Sequence, residues 1–364
     1  MKLLIQPGAG ATVLLNAING AKRIVEIVIF RFAHRGIEEA LVSAVRRGVA
    51  VNALIAHVNG SDAESLRKLE MRLLAAGVTV ARTDTALARY HSKYLIVDRK
   101  ELFVLAFNFT HQDMNQSRSF GLMIKNRKLV AEAIKLFEAD TLRQAYTPAV
   151  ADFIVSPLNA RKQLSAFIKG AKSELLIYDP RISDAAIVRL LSERVKADVS
   201  VRIVGHVSGN HGNLCVRELG GMRLHTRSIL RDRKALFIGS QSLRELELDG
   251  RREVGVICRD RAAVSAMLSV FEEDWAGAKP AKSRTKEQRP AAKVAKKISK
   301  AISHELPPVA SVLDSLQKPR DGTDVQLDAD EIDGIVRNAV KHAVKVVVQQ
   351  VIEEKVEEPV GSNV

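Results

Sequence analysis

Two short segments of the sequence place a histidine two residues before a cationic side chain. The first reads YHSKYLIVD over residues 90–98, and the second reads LHTRSILRD over residues 224–232. Because side chains alternate between the two faces of a β-strand, the histidine and the cation of each segment are expected to point the same way. The two pairs are His91 with Lys93 and His225 with Arg227.

Two such pairs in one site suit the cleavage of a phosphodiester. Without a metal ion, this reaction needs a nucleophile, a proton donor for the leaving alcohol and cations for the non-bridging oxygens. A neutral imidazole can attack phosphorus to form a phosphohistidine, while a protonated imidazole on the opposite side protonates the leaving oxygen. Water or an alcohol then attacks the intermediate. Lysine and arginine stabilise the negative charge that grows on the phosphate oxygens, and arginine can donate two parallel hydrogen bonds to them.

The elements that must position these pairs belong to an internal repeat. In each half, a helix with 3.6-residue periodicity leads into an alternating, β-branched strand. The matching helix–strand segments are 14–30 with 163–179 and 37–55 with 186–204. A third block, DRKELFVLAFN from Asp98, returns as DRKALFIGSQS from Asp232, where the offset has fallen from about 150 to 134. We attribute this fall to loop deletions, and the repeat predicts an α/β protein of two equivalent units.

The repeated histidine motif resembles the signature of the phospholipase D superfamily, HxKx4D followed by a GSxN-like turn, present twice in one chain. The resemblance covers roughly residues 1–275. It implies an α/β fold of two α/β/α sandwich repeats with pseudo-two-fold symmetry, in which both histidine–cation pairs meet at the central interface. It also implies hydrolysis or transfer of a phosphodiester through a phosphohistidine, with no metal ion and no organic cofactor.

The second motif and both turns depart from the family pattern. Arg227 replaces the usual lysine but keeps its charge, and Leu105 and Ala106 replace the glycine and serine of the first turn. The second turn keeps glycine and serine but has serine in place of asparagine. The remaining candidates for phosphate contacts are Asn108, Ser240 and Ser242. Asp98 and Asp232 lie an odd number of residues after their histidines, and we interpret them as structural carboxylates that support the site.

Family members also hold the tautomer of a histidine with a downstream carboxylate. Glu253, 28 positions after His225, suits this role for His225, whereas the first half has Ser119 or Phe120 at the equivalent place. Resemblance to two-repeat members favours His91 as the nucleophile and His225 as the general acid. An imidazole oriented by Glu253 argues for the reverse, so the sequence leaves this assignment open.

The charge of the chain is unevenly distributed. The 364 residues carry a net charge of +14, with +12 in residues 1–278, +8 in 279–300 and −6 in 301–364. The Lys/Ala/Pro-rich run after 278 cannot bury enough apolar surface to offset its ordering entropy, while apolar residues recur at helical spacing near the C-terminus. The predicted organisation is repeat 1 at 1–150, repeat 2 at 151–278, a disordered basic linker at 279–306 and a tail at 307–364 with an amphipathic helix at about 328–358.

This charge predicts polyanionic partners. Anionic membrane surfaces and nucleic-acid backbones both attract a basic core and arm, so residues 279–300 are expected to contact one of them. The C-terminal helix is expected to support oligomerisation or docking.

Composition excludes several classes of protein. The chain has 46% hydrophobic and 27% charged residues, which is typical of a globular protein with a full core. Its apolar runs fall short of the roughly 20 residues of a membrane-spanning helix, and the N-terminal apolar stretch is too short for a signal peptide. Cys215 and Cys258 are too few for a disulfide framework. We expect a cytoplasmic protein, either free or peripheral at the membrane.

The substrate stays open because phospholipases, cardiolipin-synthase-like transferases and nucleases of this superfamily share their catalytic residues. Family frequency favours hydrolysis or transfer of a phospholipid-type phosphodiester. The basic arm supports a metal-independent nuclease as the alternative. The altered positions Leu105, Ala106, Arg227 and Ser242 support a second alternative, a catalytically silent polyanion-binding protein.

Overall fold

The computed structural model describes residues 1–57, 61–209 and 213–281. The described residues belong to one compact unit, Met1–Ala281. The predicted tail at 307–364, with its helix at 328–358, and nearly all of the linker at 279–306 lie outside the described residues.

The helices of the described residues are α1 (Thr12–Gly20), α2 (Arg35–Arg46), α3 (Ser61–Ala75), α4 (His111–Asn115), α5 (Arg127–Leu142), α6 (Ala160–Lys169), α7 (Ala185–Lys196), α8 (Glu245–Asp249) and α9 (Arg261–Gly277). The strands of the first half are β1 (Lys2–Gln6), β2 (Ile24–Ile29), β3 (Ala50–Ile55), β4 (Thr79–Arg82), β5 (Arg89–Tyr90), β6 (Tyr94–Val97), β7 (Glu101–Leu105) and β8 (Ser117–Ile124). Those that follow are β9 (Phe153–Val155), β10 (Glu174–Ile182), β11 (Ser200–Val207), β12 (Cys215–Glu218), β13 (Arg223–Leu224), β14 (Arg227–Arg231), β15 (Ala235–Gly239), β16 (Arg251–Arg252), β17 (Val254–Cys258) and β18 (Lys279–Pro280).

The duplication is visible in the order of the strands. One sheet runs β1-β8-β7-β6-β2-β3-β4, and the other runs β9-β17-β15-β14-β10-β11-β12, with β18 added at its edge. Strands β2, β3 and β4 of one sheet are parallel to one another, as are β10, β11 and β12 of the other, and the remaining neighbours in these two strand orders are antiparallel. The α/β fold with two repeated units is therefore confirmed.

A helix, rather than loops, accounts for most of the shortened offset in the second half. In the first half, α3 connects β3 to β4. In the second half, only residues 208–214 separate β11 from β12. The expectation of loop deletions was wrong. Amphipathic periodicity in one copy of a repeat indicates a helix there, but it does not show whether the other copy has the same helix.

The hydrophobic core of the described residues has three large clusters, which correspond to layers, and a small one around Phe30, Ala56 and Tyr90. Helices α5 and α9 pack between the two sheets and share one cluster with both, and residues such as Val28 and Tyr178 belong to it. Helices α1, α2 and α3 cover the other face of the first sheet, and α6, α7 and α8 cover the other face of the second. Because both faces are covered, strands such as β2 are apolar in near-continuous runs.

Each half lends a short segment to the other half. Strand β5, just before His91, pairs in parallel with β16 of the second half. Strand β13, just before His225, pairs in parallel with β8 of the first half. The two crossed pairs occupy equivalent places in the repeat, and they bring both histidines to the boundary between the halves.

The compact unit extends slightly beyond the predicted end of repeat 2. Lys279 and Pro280 form β18, which pairs with β12, and the amide of Ala281 donates to the carbonyl of Val216. The predicted start of the disordered linker at 279 was therefore wrong by three residues, because two residues of a basic run here complete the edge of a sheet.

Candidate active site

The histidine of each motif lies in a connection between strands, not within a strand. His91 and Lys93 lie between β5 and β6, and His225 lies between β13 and β14. Lys93 nevertheless reaches its histidine, as Lys93 Nζ lies 2.8 Å from His91 Nε2 and 2.6 Å from the His91 carbonyl oxygen. The prediction of a continuous strand was wrong, but the two side chains of the first pair lie together.

Glu253 contacts His91, from the opposite half of the chain. His91 Nδ1 lies 2.9 Å from both carboxylate oxygens of Glu253. The predicted pairing of Glu253 with His225 was wrong. The reason is the crossed pairing of β5 with β16, in which the His91 amide donates to the carbonyl of Arg252 and so places the next residue beside the imidazole.

His225 has different neighbours. Arg223, two residues earlier, donates to His225 Nδ1 at 3.0 Å and to Asp113 Oδ1 at 2.6 Å. His225 Nε2 lies 3.3 Å from Asp113 Oδ2 but is not aligned for a hydrogen bond. Ser119, which the repeat aligns with Glu253, donates its hydroxyl to the backbone carbonyl of His225 at 2.5 Å. The carboxylate beside this histidine is therefore Asp113.

Sequence reasoning missed Asp113 and its counterpart Glu247. Asp113 accepts hydrogen bonds from the backbone and side-chain amides of Asn108 at 2.8 and 2.7 Å. Glu247 accepts one from the amide of Ser242 at 2.6 Å. In both halves the carboxylate follows the turn residue by five positions, in a short helix. The sequence could have revealed both carboxylates, because they share the same spacing from the turn residue and are separated by the offset of 134 between the halves.

Burial shifts both histidines, Lys93 and Glu253 towards their neutral forms. It holds the pKa of His91 well below its usual range, with the charge of Lys93 as the next cause. It lowers the pKa of His225 to about 4, despite the opposing effect of Asp113. It lowers the pKa of Lys93 to about 7 and raises that of Glu253 to about 7. Burial thus opposes the charged form of both His91 and Glu253.

Three buried polar atoms of the predicted site residues have no hydrogen-bond partner among the described residues. They are Asn108 Oδ1, His225 Nε2 and one terminal nitrogen of Arg227, NH1. Buried polar groups are rarely left unpaired in folded proteins. Unpaired atoms of this kind in one cluster are typical of a site that binds a polar ligand.

The other predicted donors are used within the protein. Ser240 Oγ accepts from the amide of Val254 at 3.2 Å, and Ser242 Oγ accepts from Arg227 Nε at 3.1 Å. Leu105, which replaces the glycine of the first turn, is fully buried in the sheet and pairs with Gly121. The change at this position therefore fills the core.

Asp98 and Asp232 lie at the opposite ends of β6 and β14 from the histidines. Asp98 accepts hydrogen bonds from the amides of residues 22–24, and Asp232 accepts from those of 172–174. Both are in the left-handed region, with φ of 53° and 51°. These carboxylates fix the start of β2 and β10, the strands that adjoin β6 and β14.

Two further findings concern the described part of the chain. Residues 1–57, 61–209 and 213–281 hold no group of three or more His, Cys, Asp or Glu side chains that could bind a metal ion. No helix within these ranges is both long and apolar enough to cross a membrane.

The chain is similar in sequence to a family model over most of its first repeat, and to curated proteins over about a third of its length. A family model described as "Cardiolipin synthase, PLD-like domain" matches residues 14–141. Mitochondrial cardiolipin hydrolase from Chlamydomonas reinhardtii is 27% identical over 128 residues, or 34% of this chain and 54% of that protein. The mouse protein of the same name is 30% identical over 129 residues, or 34% of this chain and 55% of that one. The chain thus spans about half the length of the curated relatives it matches.

Similarity in structure extends over both repeats. Polyphosphate kinase from Porphyromonas gingivalis superposes with a TM-score of 0.64 at 16% identity, over 79% of this chain and 50% of that one. Phosphatidylserine synthase from Haemophilus influenzae superposes with a TM-score of 0.60 at 11% identity, over 83% and 93%. At these identities the superpositions show the fold alone. The family model and the duplicated histidine motif lead to one conclusion: the first repeat of the chain, over residues 14–141, belongs to the phospholipase D superfamily.

Proposed function

We propose that the chain is a phosphodiesterase that forms a phosphohistidine on His91 and acts on a phospholipid-type substrate. The observation that carries this proposal is the crossed arrangement at the boundary, where each histidine lies beside a carboxylate from the other half. The neighbours of the two rings differ, since His91 contacts Lys93 and His225 contacts Arg223, and a two-step transfer requires two imidazoles with different roles.

His91 has the hydrogen bonds of a nucleophile. Its Nδ1 faces Glu253, which accepts the ring proton, and Lys93 Nζ lies 2.8 Å from Nε2 and 3.0 Å from Nδ1. With the ring proton on Nδ1, the lone pair is on Nε2, and it can attack phosphorus once Lys93 has turned to the phosphate oxygens. Glu253 stabilises the positive charge that develops on the ring when Nε2 becomes bonded to phosphorus.

His225 has the hydrogen bonds of a proton donor that becomes charged only when substrate binds. Because a guanidinium can only donate, the contact from Arg223 makes Nδ1 an acceptor and leaves the ring proton on Nε2. Burial keeps this ring neutral, with a pKa of about 4. A bound phosphodiester brings a negative charge next to the ring, which favours the imidazolium. The second proton then occupies Nδ1, and Arg223 must release this nitrogen.

The reaction then proceeds in two balanced steps. His91 Nε2 forms a bond to phosphorus as the bond to the leaving alcohol breaks, and His225 gives its proton to the leaving oxygen. Water next loses a proton to His225 and attacks phosphorus, which breaks the bond to His91 and releases the phosphomonoester. Lys93 and Arg227 hold the non-bridging oxygens in both steps.

The substrate class rests on the relatives. The description of the matching family model names cardiolipin synthase, and the similar proteins from Chlamydomonas reinhardtii and mouse are named mitochondrial cardiolipin hydrolases. These names favour a phospholipid over a nucleic acid. The net charge of +12 on residues 1–278 fits an anionic lipid surface.

The test is an assay of the full chain, with EDTA present, on fluorescent phospholipid vesicles and on single- and double-stranded DNA in parallel. We expect cleavage of the lipid phosphodiester, lost in His91→Ala. Cleavage of DNA alone would overturn the substrate class. If the chain cleaves neither substrate and also fails to cleave a small soluble phosphodiester, the proposal of an enzyme is wrong. That result would favour a polyanion-binding protein.

The nucleophile is tested by acid quenching during turnover, followed by peptide mass spectrometry. The expected product is a phosphorylated peptide that contains His91, and Glu253→Gln should lower its yield. A phosphorylated peptide that contains His225 instead would reverse the two roles.

A further inference from the structure

A buried relay holds the cation of the second motif. Arg227 Nε donates to Ser242 Oγ at 3.1 Å, and Ser242 Oγ donates to Asp179 Oδ1 at 2.9 Å. The side chains of all three residues are buried. Asp179 is fixed in turn by the amides of Leu243 at 2.7 Å and Arg181 at 2.8 Å. The relay is anchored in the backbone at its far end.

The first half has no such relay. The strand registers align Asp179 of β10 with Ile29 of β2, because Leu175 pairs with Arg231 as Val25 pairs with Val97. An isoleucine cannot accept a hydrogen bond from a turn side chain.

The cation and the turn residue of the first half are bound differently. Asn108, the counterpart of Ser242, donates its side-chain amide to Asp113 at 2.7 Å. Lys93, the counterpart of Arg227, lies against His91.

We propose that Asp179 and Ser242 are positioning residues that aim the guanidinium of Arg227 at a phosphate oxygen, and that Arg227 and Ser242 are a matched replacement for the lysine and asparagine of the first half. This inference rests on the proposed function, since it assigns the phosphate-binding geometry of the same site. Arg227 is a catalytic residue in this scheme, and Asp179 acts through Ser242.

The geometry explains why both replacements occur together. The arginine side chain has a donor, Nε, before its two terminal nitrogens, whereas lysine donates only from its terminal ammonium group. The serine hydroxyl takes that donor, which fixes the plane of the guanidinium. The terminal NH1 is buried without a partner among the described residues, so a phosphate oxygen can accept from it. A guanidinium held in one plane loses less freedom when it binds an oxyanion.

The test is a double-mutant cycle in the full chain. The probes are inorganic phosphate, measured by calorimetry, and bis(4-nitrophenyl) phosphate, measured by turnover. Ser242→Ala removes the relay hydroxyl and keeps the backbone contact to Glu247. We expect it to weaken phosphate binding and raise KM by about 10-fold, the range expected for a hydrogen bond to a charged group.

Arg227→Lys provides the decisive background. Lysine has no Nε, so Ser242→Ala should change phosphate binding by less than about 2-fold when Lys occupies position 227. An equal loss in both backgrounds would overturn the relay, because a general loss of folding or packing acts in both. Ser192→Ala, which removes a hydroxyl from the outer helix α7, is the matched control and should leave both probes unchanged.

The two probes separate this inference from the proposed function. If the wild-type chain binds phosphate and cleaves no phosphodiester, a weaker phosphate affinity in Ser242→Ala still supports the relay. If the chain is an active phosphodiesterase and Ser242→Ala has wild-type KM and phosphate affinity, the relay is wrong and the proposed function stands.

Discussion

The two halves have the same strand order but different chemistry where they meet. In the first half, His91 lies between a lysine and a carboxylate that comes from the other half. In the second, His225 lies between an arginine and Asp113, and its cation Arg227 is held by a serine and a buried aspartate. The comparison teaches that the two halves preserve one scaffold while their histidines have different neighbours.

The strongest way to break this comparison is to remove either histidine. His91→Ala and His225→Ala should each lower turnover by at least about 10³-fold, because one imidazole cannot act on both sides of phosphorus. Turnover of a soluble phosphodiester and far-UV circular dichroism are the measurements. His57→Ala, at an exposed histidine, is the control. A variant without His225 that keeps near-wild-type turnover would show that the halves do not share one site.

The second prediction concerns the crossed carboxylate of the first histidine. Glu253→Gln should lower kcat by about 10- to 100-fold, the usual effect of losing a group that orients a reacting imidazole. Single-turnover kinetics should place the loss in the formation of the phosphohistidine. If only its hydrolysis is slowed, Glu253 serves His225 in function despite its contact with His91.

The third prediction uses the difference between lysine and arginine. Lys93 has a pKa of about 7 because it is buried, so its charged form is present below pH 7 and is lost as pH rises through 7. Above this pH, kcat/KM should fall by about 10-fold per pH unit. Lys93→Arg should move this decline to higher pH, since arginine stays charged. An unchanged alkaline limb would assign the decline to another group.

The smallest effect on turnover is expected at the motif aspartates. Asp98→Ala and Asp232→Ala each remove an acceptor for three backbone amides, so each should lower the free energy of unfolding by about 1 to 3 kcal/mol. Turnover at low temperature should stay within about 2-fold of wild type. Urea unfolding is the measurement, and Glu64→Ala, in an exposed ion pair with Lys68, is the control. A large loss of turnover in a folded variant would place these groups in the chemistry.

The fold could be predicted from the sequence because the repeat shows in the local spacing of apolar residues. Helix and strand periodicity identified the units, and the matching blocks around Asp98 and Asp232 fixed their equivalence. The sequence did not predict that the described residues between β11 and β12 contain no counterpart of α3. The offset between the halves gives the number of residues lost and does not show which element they formed.

The contacts of the site could be predicted only in part. The spacing within each motif identified His91, Lys93, His225 and Arg227, but no spacing along the chain shows which half supplies a neighbour. Glu253 was assigned to the wrong histidine because the pairing of β5 with β16 is a long-range contact. The repeat could have revealed Asp113, since it shares its position with Glu247.

The crossed pairing of β5 with β16 and of β13 with β8 also constrains how the two halves can evolve. Each imidazole lies beside a carboxylate encoded more than a hundred codons away, so a substitution of Glu253 or Asp113 changes the surroundings of the histidine in the other half. Divergence between the halves at these positions is therefore expected to arise as paired changes across the boundary.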